Sequence, residues 1–224
     1  MKLFIWMLLL YSIPFAFLMV TLLYSKSKKY YTLGKTLASI GFIVVAIVSG
    51  LEGTHLIDVW HTMPAFLLCL TGDVLLGIYN QNKQKEYFLA GLCVFLCGHI
   101  GFFLSFARMS GVLVWEMIIP VFGVMLTIWL EKRPGMNTEK LKVGILLYSY
   151  FVSLLLTKTI FMAVKECSAG TLLLAIGAGL FLISDVLLLF LNFYKKRFLT
   201  LHVVNLITYY YGIFLMAASF QFFS

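Results

Sequence analysis

Charge is what this chain of 224 residues has least of: Asp and Glu number nine, Lys and Arg 17, and the four types make up 12% of the sequence. A soluble domain carries about 25% charged residues, so a water-soluble single-domain enzyme is excluded. With 62% hydrophobic residues and a mean hydropathy of +1.00, a disordered chain is excluded as well. Cysteine is also scarce. Cys69, Cys93, Cys97 and Cys167 lie in or beside apolar stretches, without the paired spacing of a disulfide framework or a zinc ribbon, and read as small core residues. No GxxxxGK, HExxH or GxSxG segment occurs, so nucleotide chemistry and the common hydrolase signatures gain no support. The net charge is +8, yet the cations sit in short segments between long apolar runs, which argues against nucleic acid as a partner and makes the basic balance a signal of membrane orientation.

What is present is apolar length. A bilayer core of about 30 Å needs about 20 apolar residues per helix, with every backbone polar group satisfied inside the span. Eight runs qualify, at approximately 3–24, 33–50, 61–79, 86–106, 111–130, 141–163, 168–192 and 199–223. The expected fold is therefore an all-α membrane protein, a bundle of eight transmembrane helices forming a single domain over 1–224. The first run is too long for a typical signal-peptide core and is followed by Lys26, Lys28 and Lys29, so it is read as the first span. The segments after runs one, three, five and seven hold 12 cations: Lys26, Lys28, Lys29, Lys83, Lys85, Lys132, Arg133, Lys140, Lys142, Lys195, Lys196 and Arg197. Those after runs two, four and six hold only Arg108 and Lys165. The positive-inside rule then puts both termini on the extracytoplasmic side of a multi-pass protein, expected in a bacterial cell membrane.

An internal repeat emerges when the third run is laid on the seventh. Gly72-Asp73-Val74-Leu75-Leu76 matches Ser184-Asp185-Val186-Leu187-Leu188, and Asn80 and Lys83 fall on Asn192 and Lys195. The offset is four runs, which preserves orientation and predicts a parallel four-plus-four repeat, with halves 1–110 and 111–224.

Ionisable groups inside hydrocarbon are costly and usually face a cavity or a partner. Lys35, Asp73, His99, Glu116, Lys158 and Asp185 fall inside the runs. Asp73 and Asp185 each precede a boundary lysine by ten residues, so at 1.5 Å per residue both lie ~15 Å from that boundary. Seven residues turn a helix almost twice, which sets Asn80 and Asn192 on the same faces as the aspartates and gives each helix a polar stripe. Lys35 reaches the same layer and is placed to hold one carboxylate ionised while the other carries a proton. Packing glue between helices and a snorkelling lysine are the structural alternatives. His99, between Gly98 and Gly101, and Tyr209 with Tyr210 reach a similar depth. Glu116 and Lys158 both fall towards the outer ends of their runs and read as a structural ion pair at the outer interface. His55, Asp58 and His61 look like a ligand cluster, but spacings of three rotate side chains around a helix instead of converging them, so no metal site is expected.

The Gly72–Leu76 segment, the Gly98-His99 pair, Ile183-Ser184-Asp185 ahead of the basic Tyr194-Lys195-Lys196-Arg197 turn, and Tyr209-Tyr210 resemble, in order and spacing, the YhhN-like family of lysoplasmalogenases. The resemblance covers nearly all of the chain. It implies an eight-helix membrane hydrolase that cleaves the vinyl ether of lysoplasmalogens, 1-alkenyl lysophospholipids, into a fatty aldehyde and a glycerophospho-headgroup. It also implies that Asp73 and Asp185 are the catalytic pair and that Lys35 is the family's lysine of the second span. Thr36, Phe102 and Ile213 depart from the family pattern, which has proline, tyrosine and a polar residue at those places.

The chemistry suits the residues without the name. A vinyl ether hydrolyses by protonation of its β-carbon, giving an oxocarbenium ion that water captures; the hemiacetal then collapses to aldehyde and alcohol. One acid and one carboxylate suffice, as in glycosidases, and no metal or other cofactor is required. The expected cavity is shared by Asp73 and Asp185, lined by Lys35, Asn80, Asn192, His99 and Tyr209, and open toward the cytosolic leaflet. A proton-coupled transporter or channel would use the same aspartates as a relay, although Pro14, Pro64 and Pro120 form no matched pair of helix interruptions. An intramembrane aspartyl protease would need a glycine where Leu70 stands.

Overall fold

The computed structural model describes residues 2–53, 55–138, 141–195 and 198–223, without the side chains of Ser25 and Lys26. Among the cations used for orientation, Lys140, Lys196 and Arg197 and the Lys26 side chain lie outside the described residues. The described chain is all-helical: α1 (Lys2–Leu23), α2 (Tyr31–Glu52), α3 (Leu56–Asn82), α4 (Lys85–Ser110), α5 (Val114–Ile118), α6 (Pro120–Glu131), α7 (Lys142–Lys165), α8 (Ala169–Phe193) and α9 (Leu199–Ala218). Short 3-10 turns, Ser25–Tyr30 and Ser219–Gln221, join α1 to α2 and extend α9. Eight segments are long and apolar enough to cross a membrane, α5 and α6 together making the fifth.

Two of the expected spans differ in form. The third begins at Leu56, earlier than its apolar run, because Asp58 lies in the first turn, where a carboxylate favours the helix N-terminus, and pairs with His55 Nδ1 at 3.1 Å. The fifth is broken: Pro120 has no N–H to continue α5 and instead occupies the first turn of α6, where that group is dispensable. Pro14 and Pro64 sit inside α1 and α3, which run on past them.

Lipid offers no hydrophobic driving force between helices, so close packing of small residues does that work. The two aspartate-bearing helices are each held this way. On α8, a methyl group added at Gly177 would lie 2.6 Å from the carbonyl oxygen of Gly212 on α9. On α3, a methyl group at Gly72 would meet the Phe95 ring of α4 at 2.7 Å, and Gly98 and Gly101 of α4 face Cys69 and Ala65. Helix α9 is the most buried span and packs against α8 and α2, which brings Tyr209 and Tyr210 to the middle of the bundle. The α5–α6 span is the least buried and packs chiefly on α7.

The two ends of the bundle are tied differently. At the end carrying the basic segments, Gln81 donates to the Lys29 carbonyl at 3.0 Å. There an isolated antiparallel bridge joins Met136 to Tyr194, with Asn137 N–H to Phe193 O at 2.9 Å and Lys195 N–H to Gly135 O at 3.1 Å. At the other end Lys158 is buried against Glu116 at 3.2 Å and donates to the Gly111 carbonyl. This is the ion pair expected there, and it fastens α5 to α7.

Candidate functional site

Asp73, wholly buried in the middle of α3, is surrounded by donors. Lys35 Nζ of α2 lies 2.8 Å from Oδ1, Ser39 Oγ of α2 lies 2.6 Å from Oδ2, and the Tyr209 hydroxyl of α9 donates to Oδ2 at 2.8 Å. Lys35 and Ser39 are four residues apart, so they share one face of α2. The Tyr210 hydroxyl reaches the Lys35 carbonyl at 3.3 Å and ties α9 to the same turn. An ammonium, a hydroxyl and a phenol aimed at two oxygens form a cradle for a carboxylate anion, the arrangement that makes a buried charge tolerable.

Asp185 on α8 is held more loosely. The Tyr148 hydroxyl of α7 donates to Oδ1 at 3.0 Å, and His99 Nε2 of α4 lies 3.2 Å from Oδ2 and 3.1 Å from the Tyr148 oxygen. No well-formed hydrogen bond reaches Oδ2 among the described residues, and His99 Nδ1 likewise has none. His99 is fully buried, with Phe181 4.8 Å from its ring and Tyr148 edge-on at 5.2 Å. The two aspartates, alike in their local sequence, therefore stand in unlike surroundings, one saturated and one with an oxygen to spare.

Three neighbouring spaces, which share lining residues, surround them. A small polar cavity of about 40 Å³ is lined by both Asp73 and Asp185, with Lys35, Asn80, Tyr209 and His202. Towards the end with the basic segments it adjoins a vestibule of about 310 Å³ that shares Leu76, Asn80, Leu188 and His202 with it and adds Tyr79, Lys83 and Asn192. Sideways, Asp185 and Leu188 also line an apolar groove of about 210 Å³ between α4, α6, α7 and α8, whose walls include Leu92, Leu126, Val152 and Leu189. Asp185 is the one charged residue among the described residues lining that groove, with Tyr148 beside it and Thr127, Ser149 and Ser153 as its other hydroxyls.

Of the residues singled out from sequence, Asp73, Asp185, Lys35, Asn80 and Tyr209 meet in one cavity. Asn192 lines only the vestibule, its amide turned back on the Leu188 carbonyl at 2.9 Å. His99 stands behind Asp185 and does not line the shared cavity, because the Tyr148 and Phe181 rings enclose it. Sequence reasoning missed Ser39, Tyr148 and His202. Only Ser39 had a signal, its spacing of four from Lys35; Tyr148 is one of 12 tyrosines and nothing local marks it. His202 accepts or donates at Nε2 with the Tyr31 hydroxyl at 3.1 Å. The cluster of His55, Asp58 and His61 is split, since His55 pairs with Asp58 while His61 Nδ1 lies 3.2 Å from Arg108. Among the described residues no three His, Cys, Asp or Glu side chains converge as metal ligands.

Eight apolar spans around one buried and one half-buried carboxylate, reached from one end of the bundle by a polar vestibule and from the side by an apolar groove, define a multi-pass membrane protein with an internal polar centre. The chain belongs to the YhhN family, whose family model matches residues 30–220. Neither the curated proteins nor the solved structures gave a match.

Proposed function

We propose that this chain is a membrane-embedded hydrolase that cleaves the vinyl ether of lysoplasmalogens to a fatty aldehyde and a glycerophospho-headgroup. The observation that carries the reading is the position of Asp185, which lines both an apolar groove and a small cavity that also holds a second, differently hydrogen-bonded carboxylate. A single-chain lipid has the same order of parts: a hydrocarbon tail, an ether at its polar end, then a headgroup. With the tail in the groove, the alkenyl carbons lie against Asp185 and the headgroup points through the small cavity to the vestibule.

Asp185, which lines both the groove and the small cavity, gives its proton to the β-carbon. The charge that develops on the ether oxygen and α-carbon is stabilised by the Asp73 carboxylate, already fixed by Lys35, Ser39 and Tyr209, so no reorganisation is needed as the charge appears. Water adds to the α-carbon while Asp185, now a carboxylate, takes its proton. The hemiacetal then breaks its bond to the glycerol oxygen, which is protonated as the aldehyde forms. Tyr148 and His99 hold Asp185 in place through the exchange. The reaction consumes one water and leaves both carboxylates as they began.

The same aspartates would serve a proton relay in a transporter or channel, but an apolar groove lined by one of them has no task there. The basic end of the bundle is the cytosolic one by the positive-inside rule, which opens the vestibule to the cytosol and leaves both termini outside. Purified protein supplied with a 1-alkenyl lysophospholipid should release fatty aldehyde. A 1-acyl lysophospholipid, which has no vinyl ether, should yield none. Absence of aldehyde from the alkenyl lipid, with folded protein in a bilayer, refutes the proposal.

A further inference from the structure

Building on the lysolipid-hydrolase reading, we propose that the vestibule is a phosphate-recognition subsite: it holds the lipid's phosphodiester and leaves the headgroup amine unread. Its described polar lining residues are neutral or basic: Tyr79, Asn80, Lys83, Asn192 and His202. Lys83, Asn80, Asn192 and His202 face the space, and no Asp or Glu appears among its described lining residues. They offer an ammonium, amide donors and an imidazole to an anion, and no carboxylate to an amine. The Asn80 side chain makes no hydrogen bond to the described residues, and the Asn192 amide spends one donor on Leu188 O, so donors remain.

Lys83 is placed at a backbone cost. It closes α3 with φ of 60°, the left-handed conformation in which Gly or Asn is the usual helix terminator. Its Nζ lies 5.3 Å from the centre of the Tyr79 ring, which also lines the vestibule. Tyr79 in turn packs on Phe88 at 5.1 Å, and Phe88 on Phe193 at 6.0 Å. Those rings are engaged with Lys83 and with one another and do not form an open cage for a quaternary ammonium.

The distance is also right. Asn80 stands seven residues beyond Asp73, and Asn192 seven beyond Asp185, which is ~10 Å along each helix. Eight bonds separate the alkenyl β-carbon from a phosphate oxygen, ~10 Å when extended, so a phosphate at the asparagines leaves that carbon at the aspartates. A phosphodiester anchored there fixes how far the alkyl chain slides into the groove, and therefore which carbon meets Asp185.

Binding can be read without turnover by using 1-alkyl ether lysophospholipids, which lack the vinyl group. Their affinity for the protein in nanodiscs, by displacement of a fluorescent lysolipid, should agree within about threefold for ethanolamine and choline headgroups. A 1-alkylglycerol without phosphate should bind at least about tenfold more weakly, as loss of a charge-assisted hydrogen bond requires. Lys83→Gln, at the exposed end of α3, should remove most of that difference, and millimolar inorganic phosphate should not displace the lipid. Equal binding of the alkylglycerol, a tenfold preference between headgroups, or an unaltered Lys83→Gln protein overturns the subsite. Displacement by inorganic phosphate overturns it too, by assigning the pocket to free phosphate. Aldehyde release is scored separately, so a protein that shows this binding pattern and no hydrolysis would refute the catalytic reading alone.

Discussion

Replacing Lys35 by Met removes the cation of the central pair while keeping most of the side chain's volume. Lys35 is 4% exposed and Asp73 fully buried, with their charged atoms 2.8 Å apart, so neither has water to fall back on. Breaking a buried pair by removing one partner costs about 3–5 kcal/mol, whereas an exposed pair is worth ~0–1 kcal/mol. For a chain of this size each kcal/mol lowers the unfolding midpoint by roughly 2–4 °C, so Lys35→Met should unfold about 6–20 °C earlier in detergent. Lys35→Met combined with Asp73→Asn should recover most of that loss. The asparagine keeps the shape, still accepts a hydrogen bond from Ser39 or Tyr209, and no longer buries an unpaired charge. The assay is thermal unfolding of the wild type, both single variants and the double variant, with aldehyde release measured alongside. The double variant should be folded and inactive. A midpoint for Lys35→Met within about 2 °C of wild type would mean that Asp73 is solvated or paired elsewhere, and the central pair would lose its structural and electrostatic role.

Asp73→Asn and Asp185→Asn should each abolish nearly all aldehyde release from protein that remains monodisperse, and near-normal turnover by either, at saturating substrate, refutes the two-carboxylate scheme. Because one carboxyl must be protonated and the other ionised, activity should follow a bell-shaped pH profile whose limbs belong to the pair, and turnover should slow in deuterium oxide where chemistry limits the rate. Tyr148→Phe deletes one hydroxyl between Asp185 and His99; a hydrogen bond to a charged group is worth about 1.5–3 kcal/mol, so kcat should fall ~10-fold to 100-fold with little change in KM. An unchanged kcat would remove Tyr148 from the site. Single cysteines at Lys83 and Lys195, in a chain whose own cysteines are replaced, should label with impermeant thiol reagents only after the cytosolic face is exposed. Strong labelling of intact cells would invert the orientation.

The spans were readable because hydropathy is a property of contiguous sequence, and the same is true of the two aspartates, whose isolation in apolar runs marks them. Asn80, Asn192 and Lys83 were readable from helical spacing alone. What surrounds each aspartate was not. Asp73 owes its donors to α2 and α9, Asp185 its neighbours His99 and Tyr148 to α4 and α7, and four identities in a five-residue segment shared by α3 and α8 say nothing about which helices pack on them. Tyr148 and His202 acquire their positions only when α7 and α9 are folded against their neighbours. His99 was correctly placed at the depth of the aspartates, but depth does not fix azimuth, and its ring is turned behind Asp185 away from the open cavity. The break at Pro120 was visible as a proline; that α6 then resumes within the same span depends on its place in the first helical turn.

The α5–α6 span bears on how the protein must be handled. It leans on α7, is pinned near one end by Glu116 and Lys158 and beyond the other by the strand-like bridge of Met136 to Tyr194, and turns Val121, Phe122, Met125 and Trp129 outward. Groove residues Leu126 and Thr127 lie on this same thin wall. Surrounding acyl chains therefore form part of the outer boundary against which a tail must settle. A detergent monomer, itself a single chain with a polar head, is a fair mimic of the proposed substrate and would compete for that berth. Solubilising the protein would thus add an inhibitor, and catalytic constants taken in micelles and in bilayers would describe two different chambers.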